Sequence, residues 1–196
     1  MRFEEGKYYH IYNRSINKEL LFKTTENYHF FLKRYSEYTT DLIDTFAYCL
    51  MPTHFHIFVR IRKLNNKADT SIASVGALSD VEKALKNLFI SYSKAVNKAF
   101  NRHGNLFQSK YKHKEVSDSA YYSQIIAYIH YNPVKVGLSD SPDTWVFSSY
   151  KSILSNKKTL LKRNEVLEWF GGRQQFKNFH QYFKPSLITS NLFDNE

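Results

Sequence analysis

L-I-D-T-F-A-Y-C-L-M-P-T-H-F-H-I-F-V-R-I, residues 42–61, reads as two strands and their connection. The first strand, 42–50, is mostly apolar. The second, 54–61, alternates clearly. Phe55, Ile57, Val59 and Ile61 fall on one side, and His54, His56, Phe58 and Arg60 on the other, because successive side chains of a strand point to opposite faces. Pro52 falls in the connection, where its missing N–H costs no ladder bond. One face is thus an apolar stripe for a core, and the other carries two imidazoles.

Working outward, residues 8–14 read as an earlier strand, rich in β-formers. Residues 26–38 read as a helix whose apolar face includes Tyr28, Phe31, Leu32 and Tyr35. Downstream, 63–78 is a polar linker. Ser79 and Glu82 then form an S-x-x-E capping box at a helix start. Val81, Leu85, Leu88, Phe89, Tyr92 and Val96 repeat at helical spacing as far as Phe100, and Gly104 follows the helix end. Residues 110–116 read as a fourth strand. A third helix is expected over 119–131, capped by Ser117 or Asp118. Pro133 disfavours helical geometry at Asn132, so the helix should end there.

The order strand, helix, strand, strand, helix, strand predicts an α+β fold of the ferredoxin-like βαββαβ kind. Its antiparallel sheet would carry helices on one face, with the third helix beside the sheet. Gly137, Pro142 and neighbouring Ser and Asp residues mark a boundary after Pro133. The expected division is a core, 1–133, and a small helical C-terminal extension, 134–196. That extension holds a short helix, 165–170, stopped by Gly171 and Gly172. Phe176, Phe179 and Phe183 then line one helical face, read as packing rather than a site.

The chain of 196 residues carries a formal net charge of +10, and 17% of it is aromatic. A basic, aromatic-rich surface suits a polyanion whose bases can stack: nucleic acid first, an anionic membrane surface second. Cys49 is the sole cysteine, which excludes a disulfide framework and a cysteine-based zinc site. Residues 1–7 are charged, with no apolar signal region, and no apolar run approaches the ~20 residues of a membrane span. A cytoplasmic protein with no membrane partner is expected. With six glycines and no P-loop, no nucleotide cofactor is expected.

His54 and His56 leave the same side of the sheet and make half of a divalent metal site. Alone, an H-x-H triplet in a chain with eight histidines is a weak signal. Tyr128 and Asn132 add context: four apart, they share a helical face. The Asn132 amide oxygen is a candidate third ligand, and the donor set suits Mg or Mn. The Tyr128 phenol would lie beside the metal, where it is a competent covalent nucleophile. Tyr121, Tyr122 and Tyr131 share its helix, but only Tyr128 stands four before Asn132. His130 is off that face and reads as structural or DNA-contacting. Arg14, Arg60, Arg62, Lys110, Lys112 and Lys114 are candidate phosphate contacts. The last three alternate along the fourth strand, with Tyr111 and His113 on its other face.

M-P-T-H-F-H-I-F, 51–58, resembles the M-P-N-H-x-H motif of the REP-associated tyrosine transposases, members of the HUH single-tyrosine superfamily. A-Y-I-H-Y-N-P-V-K-V-G-L, 127–138, resembles the same family's Y-I-x-x-N-P-V-x-x-G. Y-H-I-Y-N-R, 9–14, is similar to its opening strand, G-N-L-F-Q-S-K-Y, 104–111, to its G-x-x-W-Q-x-R-F, and W-V-F-S-S-Y, 145–150, to its W-x-x-S-S-Y. The resemblance spans about 5–150. Thr53, Phe107 and Lys110 stand where Asn, Trp and Arg are common, and none of these departures touches a ligand or the nucleophile. The 63–78 linker is longer than the family's usual one.

The resemblance implies an enzyme that cleaves and rejoins single-stranded DNA folded into imperfect hairpins. His54, His56 and Asn132 would hold the metal. Tyr128 would attack the scissile phosphate to give a 5′-phosphotyrosine and a free 3′-hydroxyl. It also implies a monomer rather than a helix-swapped homodimer, since the extended tail resembles the single-chain type. Two alternatives stand beside it. One is a replication initiator or relaxase of the same superfamily, though those are larger and often carry a third metal-binding histidine. The other is a non-catalytic ferredoxin-like module that binds single-stranded nucleic acid by stacking.

Overall fold

Strand β3 (His54–Ile61) runs inside the sheet, between β2 (Ile43–Met51) and β1 (Tyr8–Arg14). β4 (Lys112–Glu115) lies on the far side of β1. The computed structural model describes residues 2–63 and 79–184. The linker expected at 63–78 lies, but for Lys63, outside them. Every strand pair is antiparallel, in the order β2-β3-β1-β4. The split βαβ arrangement expected from the element order is therefore present.

Helix α1 (Thr25–Thr39) links β1 to β2, and α2 (Asp80–Ala99) precedes β4. The two pack together and cover one face of the sheet. Phe31, Tyr35, Leu85, Leu88 and Tyr92 meet Tyr9, Ile11, Phe55, Ile57 and Val59 there. The S-x-x-E box forms at the start of α2. The Glu82 N–H donates to Ser79 Oγ at 3.2 Å and the Ser79 N–H to Glu82 Oε2 at 2.7 Å. Such a cap contributes about 1 kcal/mol by satisfying amides the helix leaves over.

The opposite face is not bare. Helix α3 (Tyr122–Lys135) lays Ile125, Ile126 and Ile129 on Phe46, Cys49, Met51 and Phe58. A helix this apolar needs a second buried surface, and the outward face of β2 and β3 supplies it. A 3₁₀ turn over Ser119–Tyr121 leads in, with Asp118 Oδ1 accepting the Ala120 N–H at 2.9 Å. The expected stop at Asn132 is corrected: α3 continues through Pro133 to Lys135. Proline removes one backbone donor and strains its predecessor. Burial of Ile129 and Pro133 against the second layer offsets that cost.

The extension packs on this second layer. Residues 145–149 run along the free edge of β2. The Leu50 N–H donates to Phe147 O, Trp145 Nε1–H to Leu50 O and the Ser149 N–H to Tyr48 O, each at 2.9 Å. An open sheet edge is a template for unwanted pairing, and this strap covers it. Helices α4 (Tyr150–Leu154), α5 (Arg163–Phe170) and α6 (Arg173–Gln181) follow. α5 ends at Gly171, whose φ of 79° suits glycine. Phe176 is fully buried, as a packing residue should be, whereas Phe179 is 38% exposed.

His130 belongs to this packing. Its Nδ1 lies 2.9 Å from His180 Nε2 and its Nε2 2.7 Å from Ser149 Oγ. His180 Nδ1 lies 2.8 Å from Phe176 O, a pure acceptor, so it donates there. That orients the chain: Ser149 donates to His130, His130 to His180, and His180 to α6. Burial drives both imidazoles toward the neutral form, with His180 down to about 4.

Candidate active site

The β1–β3 register places Arg14 opposite His54 and Tyr12 opposite His56. Directly opposed residues share a face, so His10, Tyr12 and Arg14 join the two histidines. The β2–β3 turn is anchored to the loop after β1. The Leu21 N–H donates to Pro52 O at 2.7 Å and the Ser15 N–H to Thr53 O at 2.8 Å. His56 Nδ1 lies 2.9 Å from His10 Nε2, and His54 Nδ1 lies 3.0 Å from Thr53 Oγ1. With Nδ1 engaged in each, Nε2 is the nitrogen each ring would offer a cation. Tyr12 stacks on His56 at 5.6 Å and 19°.

Helix α3 brings the phenol to this pair. The Tyr128 ring centre lies 6.1 Å from that of His56 and 6.2 Å from that of His10, nearly perpendicular to both. One turn on, Asn132 Nδ2 donates to Tyr128 O at 3.1 Å. Its Oδ1 is buried and accepts no hydrogen bond among the described residues. An orphaned buried acceptor costs about 1–3 kcal/mol, and a ligand role for that oxygen would account for it. Among the described residues no three His, Cys, Asp or Glu side chains group as cation ligands. An amide oxygen beside two imidazoles is a donor set that fits a hard or borderline divalent ion.

With helices expected on one face of the sheet, the histidine face should be open, but His56 is 1% exposed and Tyr128 5%. The cause is α3 itself, whose apolar residues must be covered. His10 and Lys135 were not singled out from the sequence. His10 is 2% exposed and touches His56. Its alternation with Tyr8 and Tyr12 was visible, but its use depends on β1 pairing with β3. Lys135 Nζ lies 6.0 Å from the Tyr128 ring centre.

The basic candidates divide. Arg14 is exposed beside His54. Lys112 and Lys114 stand opposite Tyr12 and His10, on the histidine face, and Lys110 is exposed just before β4. Tyr111 and His113 turn the other way, onto Phe3. Arg60 and Arg62 are held elsewhere. Arg60 pairs with Asp44 at 2.6 Å and Glu165 at 2.8 Å, and Arg62 with Asp44 at 2.7 Å. Burial works against the Asp44 charge, but bonds from Arg60, Arg62 and Lys162 outweigh it and lower its pKa. Arg60 ties β2 and β3 to α5 and Arg62 ties the end of β3 to β2, whereas Arg14, Lys112 and Lys114 stand on the histidine face.

Fold and site together define an α+β protein in which a tyrosine-bearing helix lies on a sheet face carrying a histidine pair. No protein-family model and no curated protein matches the chain. Among solved structures it is similar to that of a REP-associated tyrosine transposase bound to a REP hairpin. The TM-score is 0.61 at 14% sequence identity, over 80% of this chain and 84% of that one. At that identity the likeness establishes the shared fold.

Proposed function

We propose that this protein is a metal-dependent DNA strand transferase that cleaves and rejoins single-stranded, hairpin-containing DNA through Tyr128. The observation that carries the reading is the packing of the Tyr128 ring against the His56 and His10 rings, with the buried Asn132 oxygen one turn away. The likeness to a transposase structure bound to a DNA hairpin supports the substrate class.

His54, His56 and Asn132 would hold Mg or Mn, which when bound supplies Lewis-acid withdrawal of charge from a non-bridging phosphate oxygen. His10 and Thr53 hold the two imidazoles in orientation through their Nδ1 atoms. Arg14, Lys112 and Lys114 neutralise and position the strand. The Tyr128 oxygen attacks phosphorus in line and gives up its proton. The bond to the 3′ oxygen breaks, and that oxygen leaves as a hydroxyl. A 5′-phosphotyrosine results. The phosphodiester energy is kept, so a 3′-hydroxyl can reverse the step without a nucleotide triphosphate. One chain contains both imidazoles and the phenol, so a monomer suffices.

The test is a denaturing gel of protein incubated with a hairpin oligonucleotide and manganese. Wild type should give a covalent adduct that chelation prevents, and Tyr128→Phe none. Absence of adduct from the wild type, with hairpin binding intact, would leave only a binding module.

A further inference from the structure

Helix α3 carries one lysine, no arginine and no carboxylate. The lysine, Lys135, stands two turns past Tyr128 and one turn past Asn132, so the three side chains form one stripe. That register exists because α3 runs on through Pro133. The helix then closes in a Schellman motif. The Gly137 N–H donates to Val134 O at 3.1 Å and the Leu138 N–H to Pro133 O at 2.8 Å, with Gly137 at a φ of 71°. The motif makes Lys135 the last residue in helical register. A helix stopped at Asn132 would leave Lys135 off the Tyr128 face.

From that position a long side chain leans back toward the helix N-terminus. Lys135 Nζ thereby comes within 6.0 Å of the Tyr128 ring centre, the outer reach of a cation–π contact. Lys135 is exposed whereas Tyr128 is buried, so the ammonium stands on the solvent side of the phenol. Among the described residues no carboxylate pairs with it, unlike Lys7, Lys33, Lys83 and Lys162. Arg14, Lys112 and Lys114 belong to the sheet, and Lys135 is the cation that reaches the site from the helix. A phosphate seated at the Tyr128 oxygen would meet it.

We propose that the Lys135 ammonium donates to a non-bridging oxygen of the phosphate seated at Tyr128, and holds it through the attack and in the phosphotyrosine. This rests on the reading of Tyr128 as the nucleophile. The bonds exchanged are unchanged: Tyr128 oxygen to phosphorus forms and phosphorus to the 3′ oxygen breaks. The phenolic proton ends on that oxygen, and the ammonium keeps its own. Charge that develops on the phosphate oxygens meets a cation already in place at the helix end.

Two measurements test it. In the first, hairpins carrying one uncharged methylphosphonate, moved position by position, are bound by Tyr128→Phe protein under chelation, so that no chemistry occurs. At one position the methylphosphonate should weaken binding roughly tenfold, an effect that vanishes when Lys135→Met is added and returns with Lys135→Arg. In the second, the wild-type adduct formed with manganese is mapped. The Lys135-dependent position should be the phosphate joined to Tyr128. Lys135→Met should slow adduct formation at saturating hairpin by about 100-fold or more, and Lys135→Arg should restore most of it. Absence of any Lys135-dependent position overturns the proposal, as does one at a phosphate other than the mapped one, or an undiminished rate in Lys135→Met. If the wild type forms no adduct, the cleavage reading fails, while a single Lys135-dependent position still upholds the phosphate contact.

Discussion

Asn132 is where stability and function pull apart. Its buried oxygen is a cost in the metal-free fold and a ligand in the proposed reaction. Asn132→Leu should raise the melting temperature of metal-free protein by about 2–4 °C, for ~1 kcal/mol regained. It should also abolish the further rise that manganese gives the wild type. Differential scanning calorimetry with and without manganese checks both. A metal-dependent shift that survives in the leucine variant removes Asn132 from the ligand set. His10 acts through His56. His10→Ala should weaken manganese binding by about 10–100-fold, while His10→Gln, which can still meet His56 Nδ1, should recover much of it by titration calorimetry. At this scale the sequence was legible where spacing was local, as in His54–His56 and Tyr128–Asn132. It was not legible for His10, whose partner lies 46 residues away.

Among elements, the strands and the α2 cap could be read because period and capping chemistry act within a few residues. Pro133 misled for the complementary reason: a local penalty was set against burial that only the folded α3 reveals. Arg60 and Arg62 looked like phosphate contacts because Asp44 and Glu165 are distant in sequence. Asp44→Asn should destabilise the fold by about 2–4 kcal/mol, since it weakens one group that three cations share. Urea titration measures it, and a loss below half a kcal/mol would show the cluster to be ornamental. The α3–α6 joint has a pH signature. His180 is held neutral, with its pKa near 4 against 6.5 unfolded. Between those values the unfolded chain takes up a proton the folded chain refuses, so stability falls as pH drops from about 6.5 toward 4. The melting temperature of wild type should therefore decline more steeply over that window than that of His180→Gln. Parallel curves would count against this joint as the source.

Over the whole molecule, a net charge of +10 sets the character of binding. If about five phosphates are neutralised, hairpin affinity should fall steeply with salt, with a log–log slope of about −3.5 to −4.5 depending on how much of the contact is duplex. Fluorescence anisotropy from 50 to 300 mM salt measures the slope, and a flat response would rule out a backbone-led complex. Charge and aromatic content were enough to point to nucleic acid. The second apolar layer was not foreseen, because α3 (Tyr122–Lys135) is far along the chain from the strands it covers, β2 (Ile43–Met51) and β3 (His54–Ile61). The strap along β2 has a consequence for how the protein is made. Trp145 meets Leu50 across 95 residues, so on the ribosome the nascent sheet margin stays naked until most of the polypeptide has been extruded. Holdase chaperones that recognise bare strands should be found on stalled chains ending near residue 140 and absent from those that include α6.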